Sequence, residues 1–137
     1  MPAAPLREIA SGGELSRVML ALLGVAHGDR DVEGSDATLV FDEVDAGIGG
    51  HTARAVGAQL LSLAEGRQVL CITHLPQIAS LAARHFCIEK DAEADPARTT
   101  VRELRSGEVV AELVRMLGAD ADDAGARRHA RDLLKAA

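Results

Sequence analysis

Two kinds of hydrophobic spacing alternate along the first half of the chain. A continuous apolar run enters the acidic segment at Phe41, and a second run occupies residues 68–73. Runs of this length predict strands buried on both faces, the kind found in parallel sheets. The segment between them has helical spacing and predicts a helix that Thr52 caps and that ends near Gly66, with an apolar stripe of Ala53, Val56, Leu60 and Leu63. Strand, helix and strand in this order predict a right-handed βαβ unit with parallel strands.

A helix is predicted before the first strand. Ser11 followed by Glu14 forms a capping box ahead of an apolar run, and the helix should stop near Gly24. Its predicted core-facing stripe consists of Leu15, Val18, Met19, Leu22 and Leu23. Residues 27–36 are polar, rich in glycine and aspartate, and predict a loop.

The second half predicts a short helix from Pro76 to about Arg84, a hairpin and two further helices. The hairpin strands are residues 85–90 and 99–104, separated by a polar segment. An amphipathic helix covers residues 109–117 and stops at Gly118. A last helix, opened by Asp120, Asp122 and Asp123, runs towards Ala137.

Composition narrows the class of protein. The 137 residues predict one domain or part of one, and 47 % hydrophobic residues suffice for a core. A net charge of −6 gives no reason to expect strong nucleic-acid binding by this chain alone. Cys71 and Cys87 lie in apolar runs and predict buried thiols in a reducing compartment. With neither a membrane-length apolar run nor a signal peptide, a cytoplasmic location without membrane contact is expected.

Three acids follow the first strand at its carboxyl end. Asp42, Glu43 and Asp45 repel one another, and ligands of open α/β sheets bind at this end of the strands. A cation or phosphate-bound Mg²⁺ would explain them. The alternative is a plain turn in which Asp45 caps the following segment. His74 follows the second parallel strand and should reach the same edge, either as a ligand contact or as an ordinary surface residue.

Glycines mark a second candidate site. Gly12 and Gly13 cost helix stability in the first turn, about 1 kcal/mol each relative to Ala. Bare amides and the Ser11 hydroxyl at a helix N-terminus would bind an anion, although an ordinary capped helix with two tolerated glycines fits equally well. Residues 45–50 match neither a dinucleotide fingerprint nor a P-loop. On the last helix, Arg127, Arg131 and Lys135 share one face, for which a solvated surface is the favoured interpretation.

Taken in series, the motifs resemble those of ATP-binding-cassette ATPases. Residues 11–14, Ser-Gly-Gly-Glu, resemble the signature motif, and residues 39–43 resemble the Walker B strand with its catalytic acid. Residues 45–50 resemble the D-loop, and residues 73–74 the switch-histidine loop. The amino-acid sequences of residues 6–17, 41–50 and 73–79 resemble those of the RecN family of bacterial DNA-repair ATPases, which are related to the SMC proteins. The resemblance covers nearly the whole chain.

The resemblance implies an α/β fold in which residues 1–137 form the C-terminal half of an ATPase head, with a parallel sheet core, flanking helices, and a C-terminal hairpin plus helices. The Walker A half and the coiled coil of such heads have no counterpart here, so an apolar strand edge should need covering. The implied partners are that N-terminal half, a second head, and DNA through the full-length protein. The implied cofactors are ATP and Mg²⁺.

The resemblance also implies roles for single residues. Asp42 would hold Mg²⁺ through water, and Glu43 would orient and deprotonate the attacking water. His74 would contact the γ-phosphate, and Asp45 would couple facing sites.

The signature residues Ser11, Gly12, Gly13 and Glu14, together with Asp45, would belong to the nucleotide site, with Ser11 and Gly13 reaching the ATP of the partner head. The nucleoid would be the place of action on DNA.

Two other classes remain open from the residues. One is a metal-dependent phosphohydrolase that uses Asp42, Glu43 and Asp45 without any P-loop. The other is a non-catalytic fragment that pairs heads, whose acids only cap turns. Hydrolysis by the chain alone would favour the first, and activity that survives replacement of the acids would favour the second.

Overall fold

The computed structural model describes Pro5 and residues 9–28, 37–91 and 98–137. The chain divides into two compact units, Met1–Ile78 and Ala79–Ala137. Motif residues 6–8 and most of the predicted loop, residues 29–36, lie outside the described residues. No helix in the described part is long and apolar enough to cross a membrane.

The first unit contains the predicted βαβ arrangement. Its elements are α1 (Gly12–Gly28), β1 (Thr38–Phe41), α2 (Gly50–Ala64), β2 (Gln68–Cys71) and α3 (Pro76–Ala79). β1 and β2 pair in parallel, in a register that places Thr38 opposite Gln68 and Phe41 opposite Cys71. The carboxyl ends of the two strands therefore meet at one edge, as predicted.

The core of the first unit forms mainly between α2 and the two strands. Its buried members are Leu20, Phe41, Val44, Ala53, Val56, Leu60, Leu63 and Ile78. The predicted stripe of α2 is confirmed, but its predicted cap is wrong. The helix begins at Gly50 with Gly49 as N-cap, and no side chain caps it. Gly50 has φ 52, a conformation that glycine adopts without strain, so the glycine turn starts the helix two residues before Thr52.

The predicted core face of α1 is also wrong. Leu20 is 3 % exposed, whereas Leu15, Val18, Met19 and Leu22 are 40–60 % exposed, and only Leu23 of the predicted stripe packs against the core. Gly13, Leu20 and Gly24 lie on the inward side of the helix. Gly13 approaches residues 42–46, which we call the acidic loop, Gly24 approaches α2, and Leu20 is buried in the core. A Cβ atom on Gly24 would meet only the flexible end of the Gln59 side chain on α2, and α1 continues past Gly24 to Gly28.

One face of the parallel pair is uncovered. Val40 is 64 % exposed and Leu70 44 %, which contradicts the prediction of strands buried on both faces. The reason is that the described residues supply packing to one face only, where Phe41 is 4 % exposed. This uncovered surface is a face of the sheet, and the expectation of a strand edge that needs covering stays a prediction.

The second unit consists of a hairpin and two helices. β3 (Phe86–Asp91) and β4 (Arg98–Glu103) pair antiparallel, followed by α4 (Ser106–Met116) and α5 (Ala124–Lys135). The predicted hairpin and both predicted helices are confirmed. Gly118, with φ 71, follows the end of α4, and Asp123 caps α5 by accepting the Ala126 amide at 2.9 Å. The predicted helix to Arg84 is too long, because α3 ends at Ala79 and a turn follows it.

Gly13 is a position of the first unit at which an added methyl group would meet backbone. A Cβ atom there would lie 2.7 Å from the Glu43 carbonyl oxygen and 2.8 Å from the Ala46 Cβ. We expect Gly13→Ala to lower the free energy of unfolding by about 1–3 kcal/mol, since backbone must shift. Denaturant unfolding of the chain measures this. Gly107→Ala, within α4, is the control, because its Cβ meets nothing within 4 Å and its φ is not positive, and an equal loss of stability in both variants would contradict the packing argument.

Candidate functional site

The acidic loop after β1 begins with a carboxylate that organises its own backbone. Asp42 is exposed, and its Oδ1 accepts the Glu43 amide at 2.9 Å. Its backbone carbonyl accepts the Ser16 hydroxyl of α1 at 2.9 Å. No described residue donates a hydrogen bond to the other oxygen of the Asp42 carboxylate, and Asp42 lines the cavity described below.

Glu43 has a left-handed backbone conformation, which residues other than glycine, asparagine and aspartate rarely adopt. Its φ is 56, and it is the sole non-glycine residue with positive φ among the described residues. Such a conformation costs about 1–2 kcal/mol for a residue with a long side chain. A turn that only connects two elements would be easier to form with glycine here. The strain therefore favours a functional carboxylate over the plain-turn alternative.

The Glu43 side chain lies against the start of α1. A Cβ atom built on Gly12 would be 2.6 Å from Glu43 Oε2. The two glycines thus have a packing reason within this chain, in addition to the ligand access that the sequence suggested. They also place the Glu43 carboxylate beside the positive end of a 17-residue helix.

Asp45 is the buried centre of the site. Its side chain is 3 % exposed, and Oδ2 accepts the Thr73 hydroxyl, the His74 amide at 2.8 Å and His74 Nδ1 at 3.0 Å. Because a carboxylate only accepts, Nδ1 of His74 carries the proton and Nε2 is the ring atom left for a ligand. The side chain of His74 is 68 % exposed. Asp45 therefore orients His74 and ties the loop after β1 to the loop after β2.

These residues enclose an open cavity of about 350 Å³ at the carboxyl edge of the parallel pair. It is lined by Asp42, Glu43, Asp45, Ala46, Ile72, Thr73 and His74. Next to it, burial together with the carboxylates of Asp45 and Asp42 raises the pKa of the Cys71 thiol to about 11. Cys71 and Cys87 are both free, and Cys71 stays a protonated thiol at neutral pH.

The start of α1 forms the predicted capping box. The Ser11 amide donates to Glu14 Oε2 at 2.8 Å, and the Glu14 amide donates to Ser11 Oγ at 3.3 Å. The Ser11 hydroxyl also donates to Glu14 Oε2 at 2.9 Å. The amide and hydroxyl of Ser11 lower the pKa of the Glu14 carboxyl. Ser11 and Glu14 are exposed, so the helix end faces solvent.

Two residues of α1 connect it to the acidic loop, and the sequence reasoning missed both. Arg17 donates from Nη1 to the carbonyls of Val44, at 3.2 Å, and Ala46, at 2.8 Å. Ser16 supplies the bond to the Asp42 carbonyl described above. The available signal was their position one turn after the cap, which points Ser16 and Arg17 in the same direction as Gly12 and Gly13.

The predicted site residues fall into two adjoining groups. Asp42, Glu43, Asp45 and His74 line the cavity. Ser11, Gly12, Gly13 and Glu14 lie at the start of α1, and Gly12 and Gly13 contact the acidic loop without lining the cavity. Asp45 lines the cavity with a buried carboxylate that Thr73 and His74 engage, and its place in a nucleotide site stays a prediction. No cluster of three or more metal-binding side chains occurs in the part of the chain that the structure describes.

Sequence comparison finds similar proteins of greater length. No family model matches the chain. The DNA repair protein RecN of Treponema pallidum is 47 % identical over 135 residues, covering 98 % of this chain and 23 % of the relative. RecN of Streptomyces coelicolor is 46 % identical over 136 residues, 99 % of this chain and 23 % of the relative. RecN of Deinococcus radiodurans is 49 % identical over 130 residues, covering 95 % of this chain and 22 % of the relative. The chain spans about 23 % of the length of such relatives.

The strain at Glu43 predicts that function and stability are opposed at this position. We expect Glu43→Asn to raise the free energy of unfolding by about 1 kcal/mol, because asparagine tolerates positive φ. Chemical denaturation of the two forms measures the difference. Asp42→Asn removes the same charge at a residue without positive φ and is the control. A similar gain in both variants would attribute the effect to charge and not to the backbone.

Proposed function

This chain is RecN-like over nearly its whole length, and we propose that it is the C-terminal half of an ATPase head that acts in DNA repair. In this proposal ATP is hydrolysed between two heads. Each head supplies the metal-binding acid and the base for its own ATP, and the glycine-rich start of α1 for the ATP of its partner.

The observation that carries the proposal is the convergence at one cavity. Asp42, Glu43 and His74 come from the ends of two parallel strands and face the same space. Phosphoryl transfer requires a positioned acid for the metal, a base for water and a polar contact to the phosphate. These three side chains are of the right kind for the three tasks.

Asp42 suits Mg²⁺ because this ion is usually held by one or two carboxylates together with waters and substrate phosphates. The Glu43 amide engages one oxygen of Asp42, and no other described residue bonds to the second oxygen, which fits a single ligand or a water-mediated contact. When bound, Mg²⁺ would neutralise charge on the phosphates. The absence of a larger carboxylate cluster among the described residues fits an ion that a nucleotide helps to hold.

Glu43 would accept the proton of the attacking water. Its backbone is held by the Ala46 amide, which donates to the Glu43 carbonyl at 3.0 Å, so the side chain starts from a defined position. His74 would present Nε2 to the γ-phosphate, while Asp45 holds the opposite side of the ring. Asp45 is therefore assigned a positioning role, and a coupling role between facing sites stays a prediction.

The proposal requires two partners. Neither Lys90 nor Lys135 stands in a phosphate-binding glycine loop, so another polypeptide segment must hold the phosphates of ATP. The N-terminal half of the head would do this, and a second head would complete the site. DNA would be engaged by the full-length protein.

A phosphohydrolase that works without a P-loop is less well supported. It would need Asp42, Glu43 and Asp45 together on a metal, but Asp45 Oδ2 already accepts three hydrogen bonds and its side chain is buried. A fragment that only pairs heads does not explain a strained glutamate at the cavity.

The first test of this function is Glu43→Gln in a head reconstituted from this chain and the complementary half. ATP binding should persist because Asp42 is intact, and hydrolysis should fall by about 10²–10⁴ because the base is lost. Steady-state phosphate release and nucleotide binding measure the two effects. Glu65→Gln, an exposed acid at the end of α2, is the control. Near-normal hydrolysis by Glu43→Gln, or turnover by this chain without the other half, would refute the assignment.

The second test asks which ATP Ser11 serves. Since Gly12 contacts Glu43 of its own chain, proximity alone does not assign Ser11 to the facing site. Reconstituted Ser11→Arg heads should still bind ATP. They should fail to pair and fail to hydrolyse ATP, because a bulky cation at this position blocks the close approach of the second head. In a mixed pair with a Glu43→Gln head, one composite site has intact Glu43 and intact Ser11, and partial activity should return if the pair closes on that one site. Absence of recovery would argue against action in trans, and normal activity of Ser11→Arg alone would exclude the role.

A further inference from the structure

Helix α5 carries a concentration of positive charge on a chain whose net charge is −6. Four of its 12 residues, Arg127, Arg128, Arg131 and Lys135, are basic, and one, Asp132, is acidic. At 100° per residue the four basic positions fall within about 100° of the helix surface, with Asp132 about 40° beyond Arg128. Arg128, Arg131 and Lys135 are exposed. We call these three residues the α5 stripe.

Unlike three arginines elsewhere in the second unit, the residues of the α5 stripe have no ion-pair partner among the described residues. Three arginines elsewhere in the unit form ion pairs of 2.6–2.7 Å: Arg84–Glu103, Arg102–Glu108 and Arg115–Glu112. Arg127 donates to the Ala121 carbonyl at 3.0 Å. Arg128, Arg131 and Lys135 make no hydrogen bond or ion pair within the described part of the chain. Their charge is therefore available to a partner.

The surroundings of the stripe indicate what kind of partner fits. α5 exposes no large apolar side chain, since the exposed ones in the described second unit are Phe86, Ile88 and Val101 on the hairpin. Protein interfaces depend on buried apolar or aromatic anchors, whereas contacts to nucleic-acid phosphates need only cations and hydrogen-bond donors. The stripe extends over about 10 Å, from a rise of 1.5 Å per residue, which matches a few successive phosphates.

We propose that the α5 stripe contacts the phosphate backbone of nucleic acid. We expect the contact to be independent of base sequence, because contacts to phosphate oxygens carry no sequence information directly. It goes beyond the proposed ATPase function, since it requires neither nucleotide nor a second head. The sequence favoured a solvated face for Arg127, Arg131 and Lys135. What favours a phosphate contact is that three exposed cations share one face, have no ion-pair partner among the described residues, and have no exposed large apolar side chain beside them on α5.

The test measures binding of this chain, without ATP, to a fluorescent DNA duplex of about 40 base pairs at several salt concentrations. Three phosphate contacts should give a slope of log affinity against log salt of about −2.7. The triple variant Arg128→Gln, Arg131→Gln and Lys135→Gln should lose at least about tenfold in affinity at low salt and most of that slope. Glutamine retains helix propensity, and circular dichroism checks the fold.

The chain provides a control with the same change in net charge. Arg84→Gln, Arg102→Gln and Arg115→Gln remove three cations that are already paired, so affinity and slope should stay near the parent values. The charge-keeping variant Arg128→Lys, Arg131→Lys and Lys135→Arg should also bind. Equal losses in both glutamine triples would reduce the effect to overall charge and overturn the proposal.

Absence of salt-dependent binding by the parent chain would overturn the proposal as well. Unchanged DNA affinity of the stripe variant combined with failure of reconstituted heads to pair would assign the stripe to an acidic protein surface instead. ATP hydrolysis is measured separately, so failure of this proposal and failure of the ATPase assignment are distinguishable.

Discussion

The buried carboxylate of Asp45 is the constraint on which the first unit depends. A carboxylate that is 3 % exposed is costly unless its oxygens are satisfied, and here one oxygen accepts three hydrogen bonds from Thr73 and His74. Those donors follow β2, whereas Asp45 follows β1. The need of the buried Asp45 carboxylate for hydrogen bonds therefore ties together the loops after β1 and β2, which the strand pairing alone would not connect. The same bonds set the ring orientation of His74.

A second set of contacts attaches α1 to the same place. Arg17 and Ser16 donate to backbone carbonyls of the acidic loop, and Gly13 lets the helix approach that loop within van der Waals distance. The loop is consequently held from two sides, which is what allows Glu43 to keep a positive φ. Strain of about 1–2 kcal/mol persists only where the surroundings over-determine the backbone. The contacts from α1 and from the loop after β2 thus maintain the strained backbone of the acidic loop.

What could be predicted from the sequence follows from how local each signal is. The Ser11–Glu14 capping box, the alternation of β1, α2 and β2, and the meeting of His74 with the acids depend on spacing within short segments or on the handedness of one crossover. The inward face of α1 depends on what packs against it, so a helix with apolar residues on several sides left the choice of Leu20 undetermined. Thr52 does not cap α2, because the glycine turn before it already begins the helix at Gly50.

The exposed apolar surfaces extend this reasoning to the site. Leu15, Val18, Met19, Leu22 and Val25 are 40–71 % exposed on α1, and Val40 is 64 % exposed on β1. These are the two elements that carry the signature-like glycines and the acids. Covering them would contribute roughly 1.5–3 kcal/mol for each fully buried side chain. Under the proposed function, the segment that supplies the missing phosphate site would also supply this cover. Docking of the complementary half and completion of the catalytic site would then be a single event, because the same helix and strand serve both.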